Sequence, residues 1–208
     1  MNKKKIIIFI GIIILIIAGI VIFTFSKQNM SKNSKIGNNS SNQEIVDYIL
    51  NISSYDLTAE VDINSNKNST KYVINQKYID NNKTIQEIIE PSNIAGVKIT
   101  REANTVKLEN TNLSLSNIYE NYNYIAENDL DLECFIKDYK ADNEAEVERK
   151  DTILEMKTKS TKNKYRKYKT LYVDSNTGKP TKLEIKDDNK NTTVYILYKE
   201  VKIETSNM

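Results

Sequence analysis

The apolar positions of the chain begin with one continuous block. After Lys3 to Lys5, the stretch from Ile6 to Phe25 runs 20 residues without a charge, and 16 of them are Ile, Leu, Val or Phe. A helix of about 20 residues spans the hydrocarbon core of a bilayer. The pattern predicts a transmembrane helix over 6–25 that serves as an uncleaved signal anchor, with residues 1–5 as a cytoplasmic tip. A cleavable signal peptide is the alternative, although the block does not end in a small-residue cleavage site.

The next segment changes abruptly to polar residues. Residues 26–41 are rich in Ser, Asn and Lys, which predicts a flexible tether. Ser41 then stands three residues before Glu44, the spacing of a helix capping box, and isoleucines follow at helical intervals. A short amphipathic helix over 42–52 therefore opens an extracytoplasmic domain that spans 42–208.

Beyond this helix, apolar and polar positions alternate, which is the period of a half-buried strand. Two such strands joined by a turn at 65–68 predict a hairpin with one apolar face. We expect this face to line an apolar cavity. The expected lining residues are Leu57, Ala59, Val61, Ile63, Tyr72, Ile74 and Tyr78. Further apolar runs around 85–89, 97–99 and 106–108 extend the pattern into an antiparallel meander.

The middle of the chain returns to a helical period. A stripe of four apolar residues between Leu132 and Tyr139 predicts a second helix, with Asn128 or Asp129 as its N-cap. Further strands are then predicted over 147–157, 164–175, 180–187 and 192–204. About nine strands and two helices indicate a mainly β (α+β) domain. We expect an antiparallel half-barrel with a helical lid.

The amino-acid composition excludes several kinds of catalytic and metal-binding site. The 208 residues contain no His and one Cys, so this chain alone cannot form a His-dependent catalytic triad, a His-ligated zinc site or an intramolecular disulfide. Without the three lysines before the anchor, 27 basic residues face 28 acidic ones, a balance that does not favour nucleic acid as a partner. We expect no enzyme activity, no catalytic residue, no metal and no cofactor.

Asp129, Asp131 and Glu133 have the alternating carboxylates of a calcium loop, and together with Glu127 they are the candidates for acid–base catalysis. In the corresponding calcium loop, position six is Cys134 where Gly is needed, and position twelve is Lys140 where Glu is needed. The motif therefore fails. We interpret the three carboxylates as the exposed, solvated start of the second helix.

Two stretches of opposite charge follow each other. Residues 127–155 carry a net charge of −7, whereas residues 157–169 contain seven basic residues and no acidic one. The basic residues are Lys157, Lys159, Lys162, Lys164, Arg166, Lys167 and Lys169. They predict either a patch for anionic lipid headgroups, teichoic acid or an acidic partner, or lysines that face the acidic segment within the fold or across a homodimer.

A cluster of tyrosines precedes the acidic stretch. Tyr119, Tyr122 and Tyr124 are expected to form either an exposed aromatic binding surface or the cover of a core edge.

Three segments carry a resemblance that covers nearly all of 42–208. They read SNKNSTKYVINQKYIDNNKTIQEIIEPSNIAGVKI (65–99), NDLDLECFIKDYK (128–140) and YKTLYVDSNTGKPTKLEIKDDNKNTTVYILYKEVKI (168–203). Together they resemble the clostridial germination-lipoprotein family, the GerS-like proteins, within the LolA/LolB lipoprotein-carrier superfamily. The resemblance implies a half-barrel with a helical lid. It also implies that the domain either binds acyl chains or is the non-enzymatic partner of a spore cell-wall amidase. GerS-type lipoproteins carry an acylated Cys after the signal, and this sequence has none there.

These observations lead to one expected function and one alternative. We expect a single-pass membrane protein whose extracytoplasmic domain recruits or activates a cell-envelope enzyme, a spore cortex amidase, in sporulation or germination. Its location would be the cell membrane, including the forespore or spore envelope. The alternative is a carrier or sensor of a lipid or lipoprotein acyl chain in a concave apolar cavity.

Overall fold

The computed structural model describes five stretches of the chain, which are residues 36–64, 68–110, 112–120, 130–160 and 164–206. The predicted anchor and residues 26–35 of the predicted tether lie outside them. Within the described stretches, no helix combines the length and the apolar character needed to cross a membrane.

Two α-helices and eleven strands make up the described part of the chain. The helices are α1 (Asn42–Leu50) and α2 (Leu132–Ala141). The strands are β1 (Ile52–Asn64), β2 (Ser69–Ile79), β3 (Lys83–Glu90), β4 (Val97–Glu102), β5 (Thr105–Asn110), β6 (Leu115–Glu120), β7 (Glu146–Lys150), β8 (Ile153–Lys159), β9 (Tyr168–Asp174), β10 (Pro180–Lys186) and β11 (Thr192–Thr205). A 3₁₀ turn, Lys164–Arg166, precedes β9.

The first helix begins where the capping pattern predicts. Ser41 Oγ accepts a hydrogen bond from the backbone N–H of Glu44 at 3.2 Å, and the Glu44 carboxylate accepts one from the backbone N–H of Ser41 at 2.7 Å. This reciprocal pair is the predicted capping box. The helix ends at Leu50, two residues before its predicted end, because Ile52 already belongs to β1.

All eleven strands belong to one antiparallel sheet, which remains unclosed within the described residues. Its order is β6-β5-β4-β3-β2-β1-β11-β10-β9-β8-β7, so the first and last strands pair at its centre. The β1–β11 register runs from Ile52 opposite Thr205 to Ile63 opposite Val194. Two meanders, β1–β6 and β7–β11, are thus joined by one central ladder. The predicted mainly β, antiparallel architecture with two helices is confirmed.

The described sheet has more strands than the nine that the pattern predicts. The pattern misses β6, because all six of its residues are exposed and show no alternation. It also merges β7 and β8 into one strand over 147–157, whereas Asp151, at φ 54°, turns the chain between them. The strand predicted over 164–175 is shorter in the structure, since it begins only at Tyr168.

The second helix lies in the connection between β6 and β7, which are opposite edges of the sheet. We call the sheet face that it contacts the inner face. Its N-cap is Asp131, whose side chain makes no capping hydrogen bond. The predicted caps, Asn128 and Asp129, lie outside the described residues.

Hydrogen bonds trace the path of α2 across the inner face. Before its first turn, Gln76 of β2 donates to the carbonyl oxygen of Leu130 at 2.8 Å. At its far end, the Lys169 ammonium of β9 pairs with the Asp138 carboxylate at 2.5 Å. The helix therefore runs from above β2 to above β9.

The hydrophobic core lies between the inner face and the two helices. α1 contributes Ile45, Val46 and Ile49, and α2 contributes Leu132, Phe135, Ile136 and Tyr139. The sheet side of the core comes from β1, β2 and β8–β11. Burying one such side chain stabilises the fold by about 1.5–3 kcal/mol. In contrast, β3–β6 bury only four side chains, which are Thr84, Gln86, Arg101 and Val106.

The last residues of the predicted tether contact the domain. Ile36 packs against the core, and Arg149 of β7 donates to the carbonyl oxygen of Ser40 at 3.0 Å. Gly178, in the turn between β9 and β10, has φ +70°, and a β carbon added there would lie 2.8 Å from Cγ1 of Ile36. This turn therefore needs glycine both for its backbone conformation and for the space that Ile36 occupies.

Replacing Gly178 by Ala tests this contact. We expect Gly178→Ala to lower the free energy of unfolding by about 2–3 kcal/mol, because it adds left-handed strain and displaces Ile36. The matched control is Gly37→Ala, since a β carbon at Gly37 meets no atom within 4 Å. Chemical denaturation measures both variants. Equal unfolding midpoints for the two variants would contradict the close packing of Ile36 on this turn.

Candidate functional site

The inner face of β3–β6 carries apolar side chains that the core does not bury. Strand pairing sets Gln86 opposite Ile99, Ile99 opposite Leu108, and Leu108 opposite Asn117, so these side chains form a row across four strands. Six apolar residues of this face are half-buried or exposed. They are Ile88, Val97, Ile99, Leu108, Leu115 and Tyr119, and we call them the wing surface.

The two faces of the sheet region formed by β3–β6 differ in charge. On the inner face, the one charged residue of β3–β6 is Arg101, and it is buried. The outer face carries the other charged residues of these strands, some of them in ion pairs such as Lys83 with Glu102 at 3.1 Å. Leu108 and Leu115 on the inner face are 37% and 60% exposed. A contiguous, uncharged apolar surface of this kind is typical of a binding site.

A buried ion pair lies where the wing surface meets α2. Arg101 Nη1 donates to Asp131 Oδ2 at 2.8 Å, and the two side chains are only 8% and 3% exposed. Gln86 Nε2 donates to Asp131 Oδ1 at 2.7 Å, and Arg101 Nη2 donates to Gln86 Oε1 at 3.3 Å. The three side chains thus form a closed set of hydrogen bonds. It joins β3 and β4 to the N-terminus of α2.

Burial controls the charge state of this cluster. Desolvation raises the pKa of Asp131 from 3.8 to about 7, although the Arg101 guanidinium and the hydrogen bond from Gln86 favour the ionised form. Burial also raises the pKa of Tyr55 and Tyr198, and the charge of Asp131 adds to both shifts. The Asp131 carboxyl therefore changes its charge in the neutral pH range.

The interpretation of the acidic segment as exposed is wrong for its described members. Asp131 is 2% exposed and Glu133 is 8% exposed. Asp131 is buried because Arg101 and Gln86, from strands distant in sequence, supply its hydrogen bonds. Glu127 and Asp129 lie outside the described residues. No group of three or more His, Cys, Asp or Glu side chains in the described stretches is placed to hold a metal ion.

The seven residues predicted to line a cavity all lie on the inner face. Strand pairing brings them together, with Ala59 opposite Ile74 and Val61 opposite Tyr72. Five of them are buried in the core, namely Leu57, Ala59, Val61, Ile74 and Tyr78. Ile63 and Tyr72 are half-buried and pack against the core. The more exposed apolar surface therefore lies further along the sheet, on β3–β6.

The predicted basic patch is divided between the two faces of the sheet. Lys169 points inward, is 1% exposed and pairs with Asp138 of α2. Lys157, at the next position along β8 from the buried Met156, points outward and pairs with Glu148 at 2.7 Å. Lys159 pairs with Glu144 at 2.9 Å, and Lys167 pairs with Asp188 at 2.5 Å. These four lysines thus have carboxylate partners within the chain. Arg166 is half-buried in the 3₁₀ turn, whereas Lys162 and the side chain of Lys164 lie outside the described residues.

Sequence reasoning misses the residues that define the site. Arg101 and Gln86 stand in short strands whose polar positions look solvent-facing. One available signal is that Arg101 is one of only three arginines in the chain. Tyr119 is half-exposed on the wing surface, whereas Tyr122 and Tyr124 lie outside the described residues.

A titration of Asp131 tests the cluster. Because its folded pKa lies above its unfolded value of 3.8, its contribution to stability is complete below pH 3.8 and is lost as the pH rises through about 7. We expect carbon-13 NMR of the Asp131 carboxyl to show a midpoint near 7. Arg101→Met should raise this midpoint, and Lys83→Met, which removes an exposed cation from the neighbouring strand, should leave it unchanged. A wild-type midpoint below 4 would show that the Arg101 charge outweighs burial.

Comparisons with known proteins show that this chain is similar in structure to several solved proteins. No protein-family model and no curated protein matches the sequence. A chain in the structure of the CwlD amidase from Clostridioides difficile in complex with the GerS lipoprotein is 26% identical, with a TM-score of 0.50 over 78% of this chain and 96% of that one. An uncharacterised conserved protein from Thermus thermophilus is 12% identical, with a TM-score of 0.49 over 80% of this chain and 90% of that one. A LolA superfamily protein from Nitrosomonas europaea is 13% identical, with a TM-score of 0.39 over 80% of this chain and 95% of that one.

The first of these likenesses covers nearly the whole of its match. It agrees with the resemblance of the three quoted segments and with the unclosed antiparallel sheet that carries helices on its inner face. Over most of its length, this chain is therefore similar in fold to a chain of the complex between the CwlD amidase and the GerS lipoprotein.

Proposed function

We propose that this protein is a non-enzymatic binding domain of the cell envelope whose partner is a cell-wall amidase, and that it acts on the spore cortex in sporulation or germination. The observation that carries the proposal is the likeness to the chain from the complex of CwlD with GerS. The wing surface supplies the contact area that such a role requires. Recruitment or activation of the amidase would follow from binding there.

The exposed apolar area of the wing surface supports the proposal that the domain binds a protein partner. Leu108 and Tyr119 are 37% and 38% exposed, and Leu115 is 60% exposed, all on one face. Apolar and aromatic side chains of this kind form the centres of protein interfaces, where they are shielded from water on binding. The amide side chains of Asn110 and Asn117 share this face and can form hydrogen bonds at its rim.

The place of the domain in the envelope is part of the same proposal. The apolar segment over 6–25 would hold the chain in the membrane as a single-pass anchor, and residues 26–35 would link it to the described domain. A membrane anchor of this kind would take the place of the acylated Cys of GerS-type lipoproteins. The domain would then meet its amidase outside the membrane.

Placing a charge on the wing surface tests the partner proposal. We expect Leu108→Glu to weaken binding of the cell-wall amidase of the same organism by about tenfold or more, because the new carboxylate loses water in an apolar interface. Val147→Glu is the matched control, since Val147 is also 37% exposed but lies in β7, at the opposite edge of the sheet. Titration calorimetry with the purified chain measures both. Equal loss of affinity in the two variants would exclude the wing surface, and absence of binding by the wild-type chain would refute the proposal.

The alternative function, transport or sensing of an acyl chain, needs an open apolar cavity. Most of the predicted lining is filled by the core, where Ala59 and Leu57 are at most 1% exposed. We therefore expect native mass spectrometry of the purified chain to show no bound acyl chain, both before and after incubation with phospholipid vesicles. A stoichiometric lipid adduct that Leu108→Glu abolishes would instead assign the wing surface to a lipid.

A further inference from the structure

The two edges of the sheet are built differently. The edge strand β7 has four charged residues among its five, Glu146, Glu148, Arg149 and Lys150. Charged side chains on an edge strand oppose the addition of another strand. Arg149 also donates hydrogen bonds to the carbonyl oxygen of Ser40 and to the hydroxyl oxygen of Ser175. This edge is therefore protected.

The edge strand β6 lacks this protection. It has one charged residue among six, Glu120, and all six residues are exposed. It pairs with β5 on one side, and no strand of the described part of the chain lies on its other side. Such an edge presents backbone N–H and C=O groups to a further strand.

The side chains of β6 indicate what kind of partner fits. Leu115 extends the wing surface on the inner face, whereas Ile118, which is 64% exposed, lies on the outer face. An acyl chain or a flat protein surface would cover only one of these faces. A strand beside β6 covers both, because its own side chains alternate between the faces.

We propose that β6 binds an extended segment of the partner protein as a twelfth strand of the sheet. This inference rests on the proposed function, since the segment belongs to the amidase. The segment would carry apolar side chains at alternate positions, which would lie beside Leu115 on the inner face. A basic residue would face Glu120, the single charge of the strand. Backbone hydrogen bonds would supply affinity and the alternate side chains would supply specificity.

Hydrogen exchange on the full chain, free and in complex with the amidase, tests the added strand. We expect the amides of β6 to exchange at least tenfold more slowly in the complex, while those of β7 stay unchanged. Ile118→Lys lies outside the wing surface and should weaken amidase binding at least tenfold. Val147→Lys, on the protected edge, should not. Both positions are exposed, and unfolding midpoints equal to that of the wild type would show that the variants remain folded.

The possible results separate the two proposals. If the wild-type chain binds no amidase, the proposed function fails and this inference fails with it. If the complex forms, but β6 exchanges as fast as in the free chain or Ile118→Lys binds normally, the added strand alone is overturned. If light scattering shows that the free chain is a dimer whose β6 amides are already protected, a second copy occupies the edge, and the assignment to the amidase is overturned.

Discussion

The rest of the structure depends on how the chain passes from β6 to β7. These strands follow each other in sequence but form opposite edges of an eleven-stranded sheet. The connection contains α2, which lies across the inner face and completes the core over the central strands and over β8–β10. Because α2 begins above β2–β4 and runs away from β6, the inner face of β3–β6 keeps apolar side chains at its surface. The core and the candidate site thus have one common cause.

The buried Arg101–Asp131 pair fixes the boundary between these two regions. A buried ion pair adds little to net stability, because desolvation of both groups offsets their attraction. Its hydrogen bonds have strict geometry, however, and they reach from two strands to the start of one helix. Apolar contacts alone would allow α2 to slide along the sheet. The pair therefore specifies where α2 begins on the inner face and where the exposed wing surface starts.

The sequence predicts the parts of the fold that follow a local period. The capping box at Ser41, the alternation along β1 and the apolar stripe of α2 are all visible in it, and they lead to a mainly β, antiparallel domain with two helices. The sequence does not reveal β6, whose apolar residues are exposed on both faces, or the burial of Asp131, which depends on partners 30 and 45 positions away. The resemblance of three segments to GerS-like proteins agrees with the structural likeness to a chain of the complex between CwlD and GerS. Only strand pairing shows that Ile99, Leu108 and Leu115 share one face.

The central β1–β11 ladder has a consequence for biosynthesis. Ser206 donates a hydrogen bond to the carbonyl oxygen of Asn51, 155 positions earlier, so the middle of the sheet forms between the two ends of the domain. A chain emerging from its N-terminus completes the first meander while β1 still lacks its neighbour. Closing so long a loop slows folding. Until translation reaches β11, the nascent domain exposes β1, the strand with the most buried core residues, as an open edge. A stop codon before residue 192 would make that exposure permanent.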